Sequence, residues 1–354
     1  MKILYIMSSY NIYGGTPKKT LDLLNYFRKD SALYVYSDSY QEFKILFEQT
    51  EASIYEGNYG RNLFKHISAL LRIIDKENID IVQTQFTMGE ILGGIIKKLR
   101  PHIKLVIAFV GSSSPRGLKK YLISKVYNDT DVFVYISNYV KQEKLKAFSS
   151  LSKQFGIVIY NGTIQKEMSL SENKSNINHP ALFDIAGLTE IKNIDVLIDA
   201  IEILIKRGET IHLYVAGDGP KKMDLLQKIE TKHLGDYIYL LGYRTDSEVF
   251  LNDCDIFVHP CYVEGFGIAV AEAMMAAKPI IVANSGALPE LIDDGKSGLS
   301  VDPFDANTWA EAILKLMEDK NMADKFGKNA KEKAQNEFSI EKYVFNYHNL
   351  YTTM

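Results

Sequence analysis

Cysteine and long apolar runs are what this sequence has least of, and each shortage excludes a class of protein. Its two cysteines, Cys254 and Cys261, are seven positions apart and form no C-x-x-C pair. A disulfide framework and a zinc site are therefore not expected, and a reducing cytoplasm is the expected compartment. The seven histidines show neither H-E-x-x-H nor any other metal-ligand spacing, so no catalytic metal is expected. No segment approaches the roughly 20 consecutive apolar residues of a membrane-spanning helix. The apolar opening, Met1–Met7, is too short for a secretion signal and reads as a first strand. Work at a membrane would thus be done from its surface.

What is present is enough for two cores: 354 residues, 46% apolar and 24% charged, the composition of an ordinary soluble protein. The net charge of −3 hides a split. Residues 1–180 hold 24 basic and 16 acidic side chains, or +8, which leaves 17 and 28, or −11, for the remainder. Between Glu90 and Asp129 no acidic residue occurs, while Lys97, Lys98, Arg100, Lys104, Arg116, Lys119, Lys120 and Lys125 do. Such a field favours an anionic partner, a lipid headgroup or a phosphate-bearing acceptor; a solvated basic face would give the same pattern. No nucleic-acid partner is expected.

Short runs rich in Ile, Val and Tyr alternate with segments of helical period. The expected strands are 2–7, 80–85, 104–110, 132–137 and 157–160, then 182–186, 211–216, 237–241, 256–259, 279–283 and 299–301. Helical stretches fall at 18–28, 63–77, 194–207, 220–229 and 267–277. Alternation of this kind predicts an α/β chain with parallel sheets and crossover helices. The polar stretch 169–180 reads as a hinge between two domains, 1–168 and 181–337. Asn128-Asp-Thr-Asp-Val-Phe-Val134 is echoed by Asn252-Asp-Cys-Asp-Ile-Phe-Val258, which suits paired Rossmann-like units. The Asp-x-Asp in each copy sits before a strand, so it is read as a turn and cap rather than a metal pair.

Glu264-Gly-Phe-Gly267 followed by Ile268-Ala-Val-Ala-Glu272-Ala-Met-Met-Ala-Ala277 is the most informative stretch. Its glycines allow a tight turn, and good helix formers then start a helix whose free N–H groups suit a diphosphate. Glu272 is the sole polar side chain among residues 268–277, so a buried carboxylate in need of donors is expected there. Gly217-Asp-Gly-Pro220 lacks the third glycine of a dinucleotide fingerprint, and Gly295-Lys-Ser297 lacks the first glycine of a P-loop. His259 stands beside the motif, either lining the pocket or holding structure.

Glu264 and Glu272 around Gly265-Phe266-Gly267 resemble the E-x7-E segment of glycosyltransferase family 4, retaining enzymes of GT-B fold. The segments 238–243, 286–292 and 338–351 are also similar to that family. The resemblance implies two Rossmann-like domains facing across a cleft, with a C-terminal helix, 338–354, packing back on the N-terminal domain. It implies transfer of a sugar from a nucleotide diphosphate, UDP by frequency, to a glycan or lipid-linked acceptor with retention and without metal or cofactor. Glu264 and the backbone of Phe266 and Gly267 would hold the donor sugar, Glu272 the ribose, and Lys192 the diphosphate. Ile268, Gly217, Tyr243 and Arg244 would complete the donor side, and Gly14, Gly15 and Thr16 an acceptor-side loop. Two positions depart from the pattern: Gly187 stands where the family carries a diphosphate-binding Arg, and Val110 where many members carry His. Arg244 or Arg116 would be candidates to replace the missing cation. A GT-B epimerase and a noncatalytic partner subunit are the alternative readings.

Overall fold

The computed structural model describes residues 1–12, 15–37, 39–164 and 175–354. The chain divides into two compact units, Met1–Gly162 with Ile340–Met354, and Thr163–Ser339. Of the stretch read as a hinge, 169–174 lies outside the described residues. Residues 175–180 belong to the second unit, where the Asn178 backbone N–H donates to the Tyr214 hydroxyl at 2.8 Å.

The first unit carries seven parallel strands: β1 (Ile3–Met7), β2 (Ser31–Val35), β3 (Ser53–Glu56), β4 (Ile81–Thr84), β5 (Lys104–Phe109), β6 (Val132–Tyr135) and β7 (Gly156–Val158). Their order is β3-β2-β1-β4-β5-β6-β7, so the sheet grows in opposite directions from β1 and β4. Ile3, Leu4, Tyr5, Ile6 and Met7 are all buried, as a central parallel strand covered on both faces requires. β2 and β3 were not anticipated. The first follows the charged turn Arg28–Asp30 and the second is a half-buried edge strand, so neither shows a clean apolar period.

The helix Ile340–Thr352 is part of this first unit. Tyr343, Val344, Tyr347, Leu350 and Tyr351 join the core that holds Tyr5, Leu23 and Phe27. The Tyr351 hydroxyl donates to Gln83 Oε1 at 2.5 Å. Tyr351 thereby brings its own partner to a buried amide, which would otherwise be costly.

The second unit has six parallel strands: β8 (Ala181–Ile185), β9 (His212–Ala216), β10 (Ile238–Gly242), β11 (Ile256–His259), β12 (Ile280–Ala283) and β13 (Leu299–Val301). The order is β10-β9-β8-β11-β12-β13. Here the reversal lies between β8 and β11, and ligands of open α/β sheets bind outside the carboxyl ends of strands at such a point.

The paired Asn-Asp-x-Asp segments do equivalent work in the two sheets. Asp131 Oδ2 accepts the Leu105 backbone N–H at 2.7 Å, and Asp255 Oδ2 accepts that of Ala181 at 2.7 Å. Each carboxylate caps the start of the neighbouring strand. That is the turn-and-cap role expected from their position.

Candidate active site

Two loops meet at the switch point of the second unit. After β8 the chain makes a single 3-10 turn, Glu190–Lys192, closed by Asn193 in the left-handed region at φ 55°. Asn suits that conformation better than most side chains. Its amide donates to the Pro303 carbonyl at 2.6 Å, which fixes the turn. After β11 the chain runs through Pro260 to Glu264, and the Tyr262 N–H donates to the Ile191 carbonyl at 3.1 Å. The backbone thus ties the lysine turn to the glutamate loop.

The side chains follow. Lys192 Nζ lies 2.5 Å from Glu264 Oε2. The same oxygen is 3.4 Å from His259 Nε2, and His259 Nδ1 is 2.7 Å from Asp184 Oδ1. Asp184, His259, Glu264 and Lys192 form a row of alternating charge. Its inner end is closed to water, Asp184 and His259 being 0% and 2% exposed, and its outer end is partly open, with Glu264 and Lys192 at 18% and 22%. Burial alone would raise the Glu264 pKa, but the His259 hydrogen bond and the Lys192 ammonium hold it well below the usual carboxylate range. Burial would lower the His259 pKa, yet the Asp184 carboxylate raises it well above that of an ordinary imidazole. Lys192, though desolvated, is likewise held charged by Glu264. A carboxylate so placed is a firm hydrogen-bond acceptor and a poor proton acceptor.

The loops around this row depend on particular glycines. Gly286 has φ 62°, and a Cβ there would lie 2.7 Å from the Glu264 backbone N and O. The Ala287 N–H donates to the Glu264 carbonyl at 2.9 Å. Gly267, at φ 102°, precedes the helix Ile268–Met275. Gly217, at φ 150°, is pressed so close to Ala186 that a Cβ would meet its carbonyl oxygen at 2.0 Å.

The structure thus brings Lys192 and Glu264 together, with Gly267 and Ile268 at the start of the helix that follows. The Phe266 ring is buried and packs edge-to-face on Phe338 at 5.5 Å, so its backbone is the part left for a ligand. Glu272 corrects an expectation: it is only partly buried, because the helix leaves one side of its apolar cylinder partly exposed at Ile268, Ala269 and Glu272. Tyr243 is exposed at the end of β10. Arg244 beside it is held by Asp246 at 2.8 and 2.5 Å and lies over the Phe250 ring. Replacing the missing cation would cost Arg244 that bidentate pair. Gly15 and Thr16 open the helix Gly15–Phe27 of the first unit, as does Arg116 for Gly117–Asn128; Gly14 lies outside the described residues. Asp184 was missed. The signal for it was there, since a lone carboxylate inside the apolar strand Ala-Leu-Phe-Asp-Ile must find a partner.

His259, Cys261 and Glu264 offer three potential metal-ligand atoms within 4.8 Å of one another. A cation entering there would compete with the Lys192 ammonium for Glu264 and with the proton on His259 Nε2, which the raised pKa holds in place.

Residues 166–333 match the family described as Glycosyl transferases group 1. An uncharacterized glycosyltransferase of Methanocaldococcus jannaschii is 28% identical over 365 residues, spanning 99% of this chain and 98% of its own. A UDP-Gal:alpha-D-GlcNAc-diphosphoundecaprenol alpha-1,3-galactosyltransferase of Escherichia coli is 26% identical over 82% of this chain and 79% of its own. Among solved structures, HepE of Anabaena in complex with UDP superposes with a TM-score of 0.86 over 100% of both chains at 20% identity. The same protein is also known in complex with UDP-glucose. The segment that carries the Lys192–Glu264 pair therefore matches the group 1 glycosyltransferase family, and the chain has the GT-B fold.

Proposed function

We propose that the chain transfers a hexose from a nucleotide diphosphate sugar, UDP-linked, to a glycan or lipid-linked saccharide, with retention and without a metal. The observation that carries this is the meeting of Lys192 with Glu264 at 2.5 Å beside the β8–β11 switch point. Glu264 holds donor-sugar hydroxyls as a charged acceptor, and the backbone of Phe266 and Gly267 aids it. Lys192 faces the diphosphate and stabilises the charge that develops on the leaving group. The N-terminus of the helix Ile268–Met275 adds a favourable dipole, and Glu272 takes the ribose. With Glu264 tied to two cations, the departing diphosphate itself accepts the acceptor's proton. Lys192 supplies the positive charge that a metal supplies elsewhere. UDP and UDP-glucose in the HepE structures and the UDP-Gal of the Escherichia coli relative support a UDP donor. That relative's diphosphoundecaprenol-linked substrate supports a lipid-linked acceptor at a membrane surface.

Melting the protein with UDP, GDP and ADP, then incubating it with a panel of nucleotide sugars, tests the reading. Stabilisation by UDP, about 2.7 kcal/mol at a hundredfold excess over Kd, with slow donor hydrolysis in EDTA, is the expected result. Isomerised donor would make the protein an epimerase, and no binding at all would make it a noncatalytic partner.

Gly187 gives a second expected result. A Cβ there would meet only the Asp218 carbonyl oxygen, at 3.8 Å, so space does not forbid a side chain. Restoring the family's cation with Gly187→Arg is expected to lower the donor KM about ten- to a hundredfold, in line with about 1.5–3 kcal/mol for a charged hydrogen bond, and to leave the melting temperature unchanged. A donor KM that does not move would remove Gly187 from the diphosphate site.

A further inference from the structure

The basic stretch that lacks acidic residues separates into two sets in the folded chain. Lys97 and Lys104 pair with Asp131 at 2.8 and 3.8 Å, Lys98 with Asp129 at 3.6 Å, and Arg100 with Asp75 at 2.8 Å. These four share three carboxylates, so most of their charge is matched locally. Arg116, Lys119, Lys120 and Lys125 have no acidic partner among the described residues. All four are exposed, at or on the helix Gly117–Asn128.

The same helix exposes apolar side chains that a soluble surface seldom displays together. Leu118, Tyr121 and Leu122 are 73%, 58% and 49% exposed. At i, i+3 and i+4 they share one face, and Lys125 continues the row one turn further. Lys119 and Lys120 lie off that row, Lys120 in line with Ile123 and Tyr127, which are buried further along, but residues 116–122 are all exposed, so the amino-terminal end of the helix stands out from the fold. Val126 sits against Gly94, where a Cβ would lie 2.6 Å from its methyl groups. Lys125 lies 5.3 Å from the ring centre of the exposed Tyr121, which sets positive charge beside aromatic surface, while Lys120 lies 5.4 Å from the ring centre of the buried Phe148.

We propose that this exposed amino-terminal end of the helix Gly117–Asn128 docks the protein on an anionic phospholipid surface. Unmatched cations alone would suit any polyanion, and exposed leucines alone any apolar partner. A protruding helix end that carries both suits a boundary with an acidic polar layer and an apolar interior, which an anionic bilayer provides. Tyr121 fits the headgroup level, where amphipathic aromatic rings concentrate. With only three apolar side chains, attachment is reversible, and most of its strength comes from charge. The proposal extends the reading of a lipid-linked acceptor, but its test does not depend on transfer.

The full chain is sedimented with vesicles of phosphatidylcholine, with or without phosphatidylglycerol, at low and raised salt. Retention on the anionic vesicles alone, lost as salt rises, is expected. Lys119→Glu with Lys120→Glu should lower partition at least about twentyfivefold, from about fivefold per cation lost. Leu118→Ser with Leu122→Ser should weaken it further at fixed salt. Both pairs are surface changes, so unchanged melting and unchanged stabilisation by UDP certify the fold and the donor site separately. No retention on anionic vesicles, equal retention on neutral ones, or indifference to the lysine pair would each overturn the proposal. So would a soluble phosphorylated glycan whose KM rises in the lysine variant while vesicles stay unbound.

Discussion

Replacing Glu264 with glutamine is expected to lower the rate of sugar transfer by about ten- to a hundredfold in a chain that still folds, because a charge-assisted hydrogen bond contributes about 1.5–3 kcal/mol. Glutamine keeps the shape and the acceptor oxygen but loses the charge, so Lys192 and His259 lose their shared counter-ion. If the bond to the donor sugar strengthens as charge develops at the anomeric carbon, the loss falls on kcat more than on KM. Initial rates at varied donor and saturating acceptor separate the two. A loss below about threefold would mean that Glu264 does not face the sugar.

Removing the charge at Asp184 acts on the same row from its buried end, and here the larger effect is on stability. Asp184 and His259 are 0% and 2% exposed, and deleting one partner of such a pair costs about 3–5 kcal/mol. Asp184→Asn should lower the melting temperature of the second unit by about 6–20 °C, at about 2–4 °C per kcal/mol. The pH dependence has a definite sign. The His259 pKa is raised on folding, so its stabilisation is complete below the ordinary imidazole pKa of about 6.5 and disappears as pH climbs through the raised value. The Glu264 pKa is depressed, so its share holds above the ordinary pKa of about 4.3 and fades as pH falls through the lowered one. The gap between wild type and Asp184→Asn in urea unfolding should therefore be widest near pH 5–6.5, within those two ordinary values, and narrow on the alkaline side. A gap independent of pH would show that His259 is neutral in the folded protein.

Much of the second unit was legible because its inner strands, β8, β9, β11 and β12, are largely buried and its strands are short apolar runs bounded by turn residues. Ile256–His259 and Leu299–Val301 fell where expected, as did the helix Leu63–Glu77 in the first unit, which Asn62 caps through its side chain. Ser31–Val35 and Ser53–Glu56 escaped notice for a physical reason. One begins against charged residues and the other lies at a sheet edge, so burial there is settled by neighbours distant in sequence. The site divides the same way. Lys192 and Glu264 could be singled out from a motif, but that one carboxylate oxygen serves both an ammonium and an imidazole depends on how two loops approach. The partition of the basic residues was equally invisible, since Asp131 neutralises Lys97 only once β5 and β6 are paired.

A helix translated after the whole of the second unit supplies part of the core of the first. Tyr343, Tyr347 and Tyr351 become available only after every residue of the second unit has been translated. Until then the Gln83 side-chain oxygen lacks its hydroxyl donor, and the apolar surface around Tyr5 is uncovered. The second unit, continuous in sequence, can mature at once; the first must wait, half-finished and adhesive, for its closing segment. During synthesis the order of completion is therefore the reverse of the order of emergence, and the nascent amino-terminal half is the part that needs chaperone protection.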